Sequence, residues 1–235
     1  MSSCLKAAVA DELISSNPCE HVSSPQLPQA ERRFLTPDEL AAVEAVMPPW
    51  WTLTVPFLAD SGLRIGELAV LTAGAVDLLR GTVSVRRTVA EVPLAASGAK
   101  TTRTLHEAKT SSGRRVVPTL TRSTCERLSQ LITERGLGAG DWLFAGRRSG
   151  AMSPHSWRDR VWRPAVKRAG LADPQPTPHA LRHTAVALSK RRSEHLALLA
   201  FSGRTSVTSL ARYARVSPEA LAHWQDGRDP ARRRR

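Results

Sequence analysis

Five residues, spread in order along the chain, have the side chains needed to attack a phosphodiester without a metal ion. The sequence has a single tyrosine, Tyr213, whose phenol oxygen is a candidate nucleophile. Arg64 and Arg182 could neutralise the phosphate oxygens, because guanidinium groups bind phosphate bidentately and stay protonated at any working pH. Lys109 could protonate the leaving oxygen, and His179 could assist the phenol, whose ordinary pKa is about 10. Each residue alone is of a common surface or core type, but the ordered set indicates phosphodiester chemistry.

The first arginine lies in a glycine-containing motif that could hold it in place. Arg64 stands between Gly62 and Gly66, and these glycines predict a sharp bend that places its side chain at a helix start. Glu67 follows three residues later and could orient an arginine through a charge-assisted hydrogen bond.

The remaining candidates lie on a helix and in a loop. Arg182 falls in the helically spaced segment His179-Ala-Leu-Arg182-His183, and we interpret His183 as structural. Lys109 precedes a basic strand. Lys100 is a weaker alternative for the acid role, since no strand pattern follows it directly.

To position these residues, the sequence predicts a mainly helical domain with one small antiparallel β-sheet, an α+β fold. Thr36 marks a helix start, with Pro37 at the first helical position and Glu39 closing a capping box. Residues 76–89 and 114–118 favour strands, residues 93–104 a long hairpin loop, and residues 18–29 a linker. The predicted helices cover residues 4–16, 36–47, 50–59, 64–71, 121–135, 154–169, 178–190, 194–201 and 206–214.

Bulk composition indicates a globular protein with a polyanionic partner. Lys and Arg number 34 against 21 Asp and Glu, which gives a formal net charge of +13 at pH 7. This balance points first to nucleic acid and second to an anionic membrane surface. Hydrophobic residues make up 41% of the chain, more than a disordered protein would carry. No stretch approaches the roughly 18 apolar residues of a membrane span.

The sequence lacks the motifs of metal and cofactor sites. The three cysteines, Cys4, Cys19 and Cys125, are scattered without C-x-x-C spacing, so we interpret them as reduced thiols of a cytosolic protein. No Walker A, dinucleotide-binding or H-E-x-x-H motif occurs. We therefore expect neither a metal nor an organic cofactor.

The motifs around Arg64, Lys109, His179 and Arg182, followed by Tyr213, together resemble the catalytic domain of the tyrosine recombinase (phage integrase) family. The resemblance runs from Phe34 to Val216. It implies site-specific cutting and rejoining of DNA through a 3′-phosphotyrosyl link, with Tyr213 as the nucleophile and the two arginines as a phosphate clamp. It also implies that Lys109 is the general acid and that His179 is the assisting base.

The sequence departs from the family pattern shortly before the tyrosine. Where family members usually carry Gly-His, or a tryptophan, this chain has Gly203-Arg204. Arginine could donate to the phosphate but cannot act as a neutral imidazole. We therefore include Arg204 among the candidate catalytic residues, with Glu67 and His183 in supporting positions.

The resemblance also predicts a domain organisation. Residues 1–30 correspond to the last helix of a truncated core-binding domain and a linker, residues 31–216 to the catalytic domain, and residues 217–235 to a C-terminal helix and basic tail. Because the rest of the core-binding domain would form half of a clamp around DNA, we expect weaker and less specific DNA binding.

As partners we expect double-stranded DNA, a homotetramer on two DNA sites, and accessory DNA-bending or directionality proteins, with no membrane. The expected location is the cytoplasm, in association with the nucleoid. Two alternatives to a recombinase stay open. One is a non-catalytic, degenerate DNA-binding remnant of an integrase, and the other is an enzyme that nicks and relaxes DNA without a partner site.

Overall fold

A computed structural model describes residues 2–22, 33–93, 101–107, 115–118, 120–146, 150–171 and 174–189. The chain divides into two compact units, Met1–Glu31 and Arg32–Arg235. Within the described ranges, no helix is both long enough and apolar enough to cross a membrane.

In the first unit, residues 2–22 are described, and they contain one helix, α1 (Ser2–Ala10). Its end is a Schellman motif: Glu12 has a left-handed φ of 56°, its N–H donates to the Val9 carbonyl at 3.1 Å, and the Leu13 N–H donates to the Ala8 carbonyl at 2.8 Å. The helix predicted at 4–16 is therefore shorter than expected, because the chain reverses at Glu12 before Asn17-Pro18.

The second unit begins with α2 (Pro37–Ala45), and the predicted capping box at its start is confirmed. The Glu39 N–H donates to Thr36 Oγ1 at 3.2 Å, and the Thr36 N–H donates to Glu39 Oε2 at 2.9 Å. A 3₁₀ turn (Pro49–Trp51) and α3 (Thr54–Ser61) then occupy the range predicted as one helix, 50–59.

In the part of the chain that the structure describes, five strands form two small antiparallel sheets where the sequence predicted one. A three-stranded sheet has the order β1-β2-β5, and a two-stranded ladder pairs β3 with β4. The strands are β1 (Val76–Asp77), β2 (Thr82–Val85), β3 (Arg87–Pro93), β4 (Thr101–Glu107) and β5 (Arg115–Pro118). The predicted loop at 93–104 is too long, since β4 begins at Thr101 and has three threonines among its first four residues, and β-branched side chains favour strands.

The later helices are α5 (Arg122–Glu134), α6 (Pro154–Trp157), α7 (Arg163–Arg168) and α8 (Pro178–Ser189). A π-helical turn (Arg158–Trp162) joins α6 to α7. Pro164 follows two residues after the end of this turn; it has no N–H, and its ring disfavours regular helical geometry in the preceding turn. The helices predicted at 121–135, 154–169 and 178–190 are confirmed. Those predicted at 194–201 and 206–214, with the C-terminal segment 217–235, lie outside the described residues.

Helix α3 lies at the centre of the second unit, with α2, α5 and α8 packed against it. Its Phe57 is fully buried and meets Phe144 edge-on at 5.5 Å between ring centroids. Burying a side chain of this size contributes about 1.5–3 kcal/mol. The buried Asp60 carboxylate accepts hydrogen bonds from the Thr121 and Thr124 hydroxyls, both at 2.7 Å, so it fixes the start of α5 on α3.

The two glycines of the first arginine motif have different roles. Gly62 ends α3 in the left-handed region, with φ 59°, as the predicted bend requires. Gly66 lies within α4 (Ile65–Leu68) and does not have a positive φ. A Cβ at Gly66 would lie 2.6 Å from the Val89 carbonyl oxygen of β3, so glycine is needed there for close packing of α4 on β3.

Candidate active site

Arg64 stands at the start of α4, directly after the turn at Gly62. It is extended, with φ −71° and ψ 147°, and its N–H donates to Glu67 Oε2 at 2.8 Å. Its guanidinium Nη1 donates to Glu67 Oε1 at 3.0 Å. The Arg64 side chain is 47% exposed, whereas that of Glu67 is 5% exposed. A buried carboxylate therefore holds a solvent-facing guanidinium, as the sequence predicted for Glu67.

A second arginine, which the sequence analysis did not select, meets the same carboxylate. Arg115, the first residue of β5, donates from Nη1 to Glu67 Oε1 at 2.9 Å and from Nη2 to Oε2 at 2.8 Å. Its side chain is only 4% exposed. Residue types along Arg115-Val116-Val117 do not alternate, and only the structure shows that Arg115 and Val117 are buried while Val116 between them is exposed. A charged residue at an inward strand position predicts a buried partner of opposite charge.

The environment of Glu67 favours its ionised form. Burial raises the pKa of Glu67. The hydrogen bonds and positive charge of Arg115 lower it, as do the N–H and charge of Arg64, and together they outweigh burial. The net pKa lies below its ordinary value of 4.5. Glu67 is thus a carboxylate at neutral pH, and acts as an acceptor for both arginines.

The second arginine motif lies on α8, which packs against α3. Arg182 is 1% exposed, and its Nη1 donates a hydrogen bond to the Gly62 carbonyl oxygen. This bond spans 120 positions of sequence and ties the second motif to the turn that carries Arg64. The buried Thr184 fixes the same helix, because its hydroxyl accepts from the Leu35 N–H at 2.9 Å.

The two histidines of α8 form a small aromatic cluster. The rings of His179 and His183 meet edge-on, with centroids 4.3 Å apart, and His183 also meets Phe34 edge-on at 6.5 Å. His183 is half-buried, whereas His179 is exposed. This arrangement agrees with the structural interpretation of His183, whose ring supports that of His179.

A cavity of about 340 Å³ connects the start of α4 with the start of α8. Ile65, the residue after Arg64, lines it together with His179, Arg158 and Arg163. Arg158 and Arg163 share the Asp159 carboxylate at 3.0 and 3.2 Å, so the cavity wall carries excess positive charge. Such a site favours an anionic ligand.

The structure thus brings together five of the eight predicted site residues: Arg64, Glu67, His179, Arg182 and His183. The candidates Lys109, Arg204 and Tyr213, and the alternative Lys100, lie outside the described residues. Lys109 falls in sequence between β4 and β5. The described residues on either side of that connection, Glu107 and Arg115, line one cavity of about 680 Å³.

Comparison with known proteins identifies the class to which this fold and site belong. The chain matches the model of the phage integrase family over residues 33–220, and it belongs to that family. No curated protein sequence matches it. The predictions of family and of an α+β fold are therefore confirmed.

Among solved structures, XerA recombinase is similar, with 22% sequence identity and a TM-score of 0.61, over 90% of this chain and 69% of that one. The Tn1549 transposon integrase in complex with transposon right end DNA has 20% identity and a TM-score of 0.69, over 97% and 76%. A lambda integrase dimer bound to a COC′ core site has 21% identity and a TM-score of 0.58, over 90% and 56%. These TM-scores show a shared fold.

Proposed function

We propose that this chain is a site-specific DNA recombinase that cuts and rejoins DNA strands through a 3′-phosphotyrosyl intermediate on Tyr213. The observation that carries the proposal is the buried hydrogen bond from Arg182 to the Gly62 carbonyl, because it joins two arginine motifs that are distant in sequence. Membership of the phage integrase family and the similarity of fold support it.

In this proposal Arg64 and Arg182 bind the non-bridging oxygens of the scissile phosphate. Negative charge builds up on these oxygens as the phosphorus becomes five-coordinate, and a guanidinium group binds it without changing protonation state. Arg64 has the required exposure, at 47%, and it is fixed by Glu67. A single donor of this kind is worth about 3–4 kcal/mol at a transition state.

The proposed proton transfers balance across the reaction. The Tyr213 oxygen attacks phosphorus, the bond to the 5′ oxygen breaks, His179 accepts the phenol proton, and Lys109 protonates the leaving 5′ oxygen. A 5′-hydroxyl from the partner strand then attacks the phosphotyrosine in the reverse sense and restores the phenol. The tyrosine ester keeps the energy of the broken bond, so no nucleotide is consumed.

We further propose double-stranded DNA as the partner, bound by a homotetramer across two sites. The net charge of +13 and the basic cavity beside His179 favour a polyanion. Lambda integrase, which has a similar fold, has been captured as a tetramer bound to a Holliday junction. The same proposal includes accessory DNA-bending or directionality proteins and a nucleoid-associated location in the cytoplasm. It also includes the domain organisation: a truncated core-binding domain and linker (residues 1–30), a catalytic domain (31–216), and a C-terminal helix and basic tail (217–235).

A second candidate function is a DNA-binding remnant of an integrase that no longer cuts DNA. The observation that favours it is Gly203-Arg204, where the family usually has Gly-His or a tryptophan. An arginine there could bind the phosphate but could not exchange a proton as an imidazole does.

The test is covalent capture on a suicide duplex, nicked near the cleavage point and drawn from DNA flanking the gene. We expect a slow-migrating protein–DNA adduct on a denaturing gel with the wild-type chain and none with Tyr213→Phe. An adduct that persists in Tyr213→Phe would refute Tyr213 as the nucleophile. DNA binding without any adduct would favour the remnant, and relaxation of a supercoiled plasmid without a recombination site would favour the nicking enzyme.

A further inference from the structure

We propose that Arg115 is a positioning residue of the phosphate clamp: it holds and neutralises Glu67, so that Glu67 can fix Arg64 without cancelling the positive charge of Arg64. This inference rests on the proposed function, because it concerns how the phosphate-binding arginine is kept ready. It adds a residue from β5 that the motif pattern did not contain.

The geometry of the Glu67 carboxylate is the first argument. Each oxygen accepts two hydrogen bonds: Oε1 from Nη1 of Arg64 and Nη1 of Arg115, and Oε2 from the Arg64 N–H and Nη2 of Arg115. All four donors lie at 2.8–3.0 Å. A carboxylate offers about four acceptor positions, so the set is saturated and its geometry is strongly constrained.

Charge and exposure give the second argument. The two guanidinium groups and the one carboxylate carry a net charge of +1. Glu67 and Arg115 are both buried, with side chains 5% and 4% exposed, whereas Arg64 is 47% exposed. The buried pair cancels internally, and the remaining unit of positive charge lies on the residue that faces solvent. This is the distribution that a phosphate ligand requires.

Loss of Arg115 would change the charge on Arg64 as well as its position. Glu67 would keep one cationic partner, so the local sum would fall from +1 to zero. Two acceptor positions of a buried carboxylate would lose their donors, which favours a closer approach of the Arg64 guanidinium to Glu67. A shift of about 1 Å in a phosphate-binding group can slow a reaction by about 10²-fold.

The experiment measures single-turnover adduct formation on the nicked suicide duplex, at saturating active protein. We expect Arg115→Met to slow adduct formation by about 10- to 100-fold, with a DNA dissociation constant within about threefold of wild type, because both terminal nitrogens of the Arg115 guanidinium donate to Glu67. Arg115→Lys keeps the charge but loses the bidentate contact with Glu67, so its rate of adduct formation should lie between those of wild type and Arg115→Met.

Two controls separate positioning from general stability. Leu128→Ala removes a fully buried core side chain of α5 and should lower stability without changing the rate of the folded protein. Arg122→Gln removes an equal charge from an exposed ion pair with Glu126 and should also leave the rate unchanged. If Leu128→Ala slows adduct formation as much as Arg115→Met does, the effect is one of stability and the inference is wrong.

A double-mutant cycle tests whether Arg115 acts through Arg64. Arg64→Lys alone should slow adduct formation. Adding Arg115→Met to that variant should reduce the rate by a smaller factor than it does in the wild-type background, since the two changes affect one interaction. Fully additive costs would overturn the inference and leave the proposed function intact. A wild-type chain that forms no adduct would refute the proposed function itself, and the inference would fall with it.

Discussion

Replacing Gly66 by alanine tests the close packing of α4 against β3, on which the position of Arg64 depends. The added Cβ would lie 2.6 Å from the Val89 carbonyl oxygen and 3.0 Å from the Thr88 hydroxyl. Close C···O contacts in proteins lie at about 3.3–3.6 Å, so α4 and β3 would have to separate by about 0.7 Å. The Val89 oxygen is a backbone atom of a paired strand, and it cannot rotate away as a side chain would.

The expected cost follows from two opposing effects. Alanine is favoured over glycine within a helix by about 1 kcal/mol. Overpacking against backbone falls in the upper part of the usual range of about 1–3 kcal/mol. We therefore expect Gly66→Ala to lower the free energy of unfolding by about 1–2 kcal/mol, and to slow adduct formation because α4 carries Arg64.

Urea denaturation of Gly66→Ala beside Gly140→Ala provides the measurement. A Cβ at Gly140 would meet nothing within 4 Å, so this control should stay within about 0.5 kcal/mol of wild type. If Gly66→Ala is as stable as wild type, or more stable, then helix propensity outweighs the contact and the account of close packing is refuted.

Two further predictions concern polar groups of the second unit. Glu67→Gln removes the carboxylate that accepts two hydrogen bonds from the buried Arg115, and it should lower the free energy of unfolding by about 3–5 kcal/mol at pH 7. Folding lowers the pKa of Glu67, so the stability that the ionised carboxylate contributes is complete above its ordinary pKa of 4.5 and is lost as pH falls through the folded-state pKa. The difference in free energy of unfolding between wild type and Glu67→Gln, measured by urea titration, should therefore shrink below pH 4.5. Thr121→Ala removes the N-cap of α5 and a donor to Asp60, and thermal unfolding should show a loss of about 1–2 kcal/mol, against a negligible change for the exposed Ser123→Ala. An unchanged melting temperature for Thr121→Ala would contradict the capping role.

Local sequence patterns were sufficient where the interaction is itself local. The capping box of Thr36 and Glu39 joins residues three positions apart, and the end of α3 depends on the backbone freedom of Gly62 alone. Strand β4 was missed in part because a strand is stabilised by its partner, and the register between β3 and β4 has no signal within residues 101–107.

For Gly66 the sequence correctly indicated that a glycine is needed, but the predicted cause, a backbone bend, was wrong. Its place beside Arg64 suggested a bend, but its backbone has no positive φ, and the need for glycine comes from Val89 on another strand. The sequence marks the residue, and only the packed structure gives the cause.

The sequence by itself determined the family, the order of the candidate catalytic residues and the local fit between Arg64 and Glu67, because these depend on residue type and short spacing. Only the tertiary structure decided that Arg115 shares the Glu67 carboxylate and that Arg182 reaches the Gly62 carbonyl, across 48 and 120 positions of sequence. Which arginine of a strongly basic chain meets a given buried acceptor depends on strand register and helix packing. Those are properties of the whole fold, because many weak contacts must form together before either bond can form.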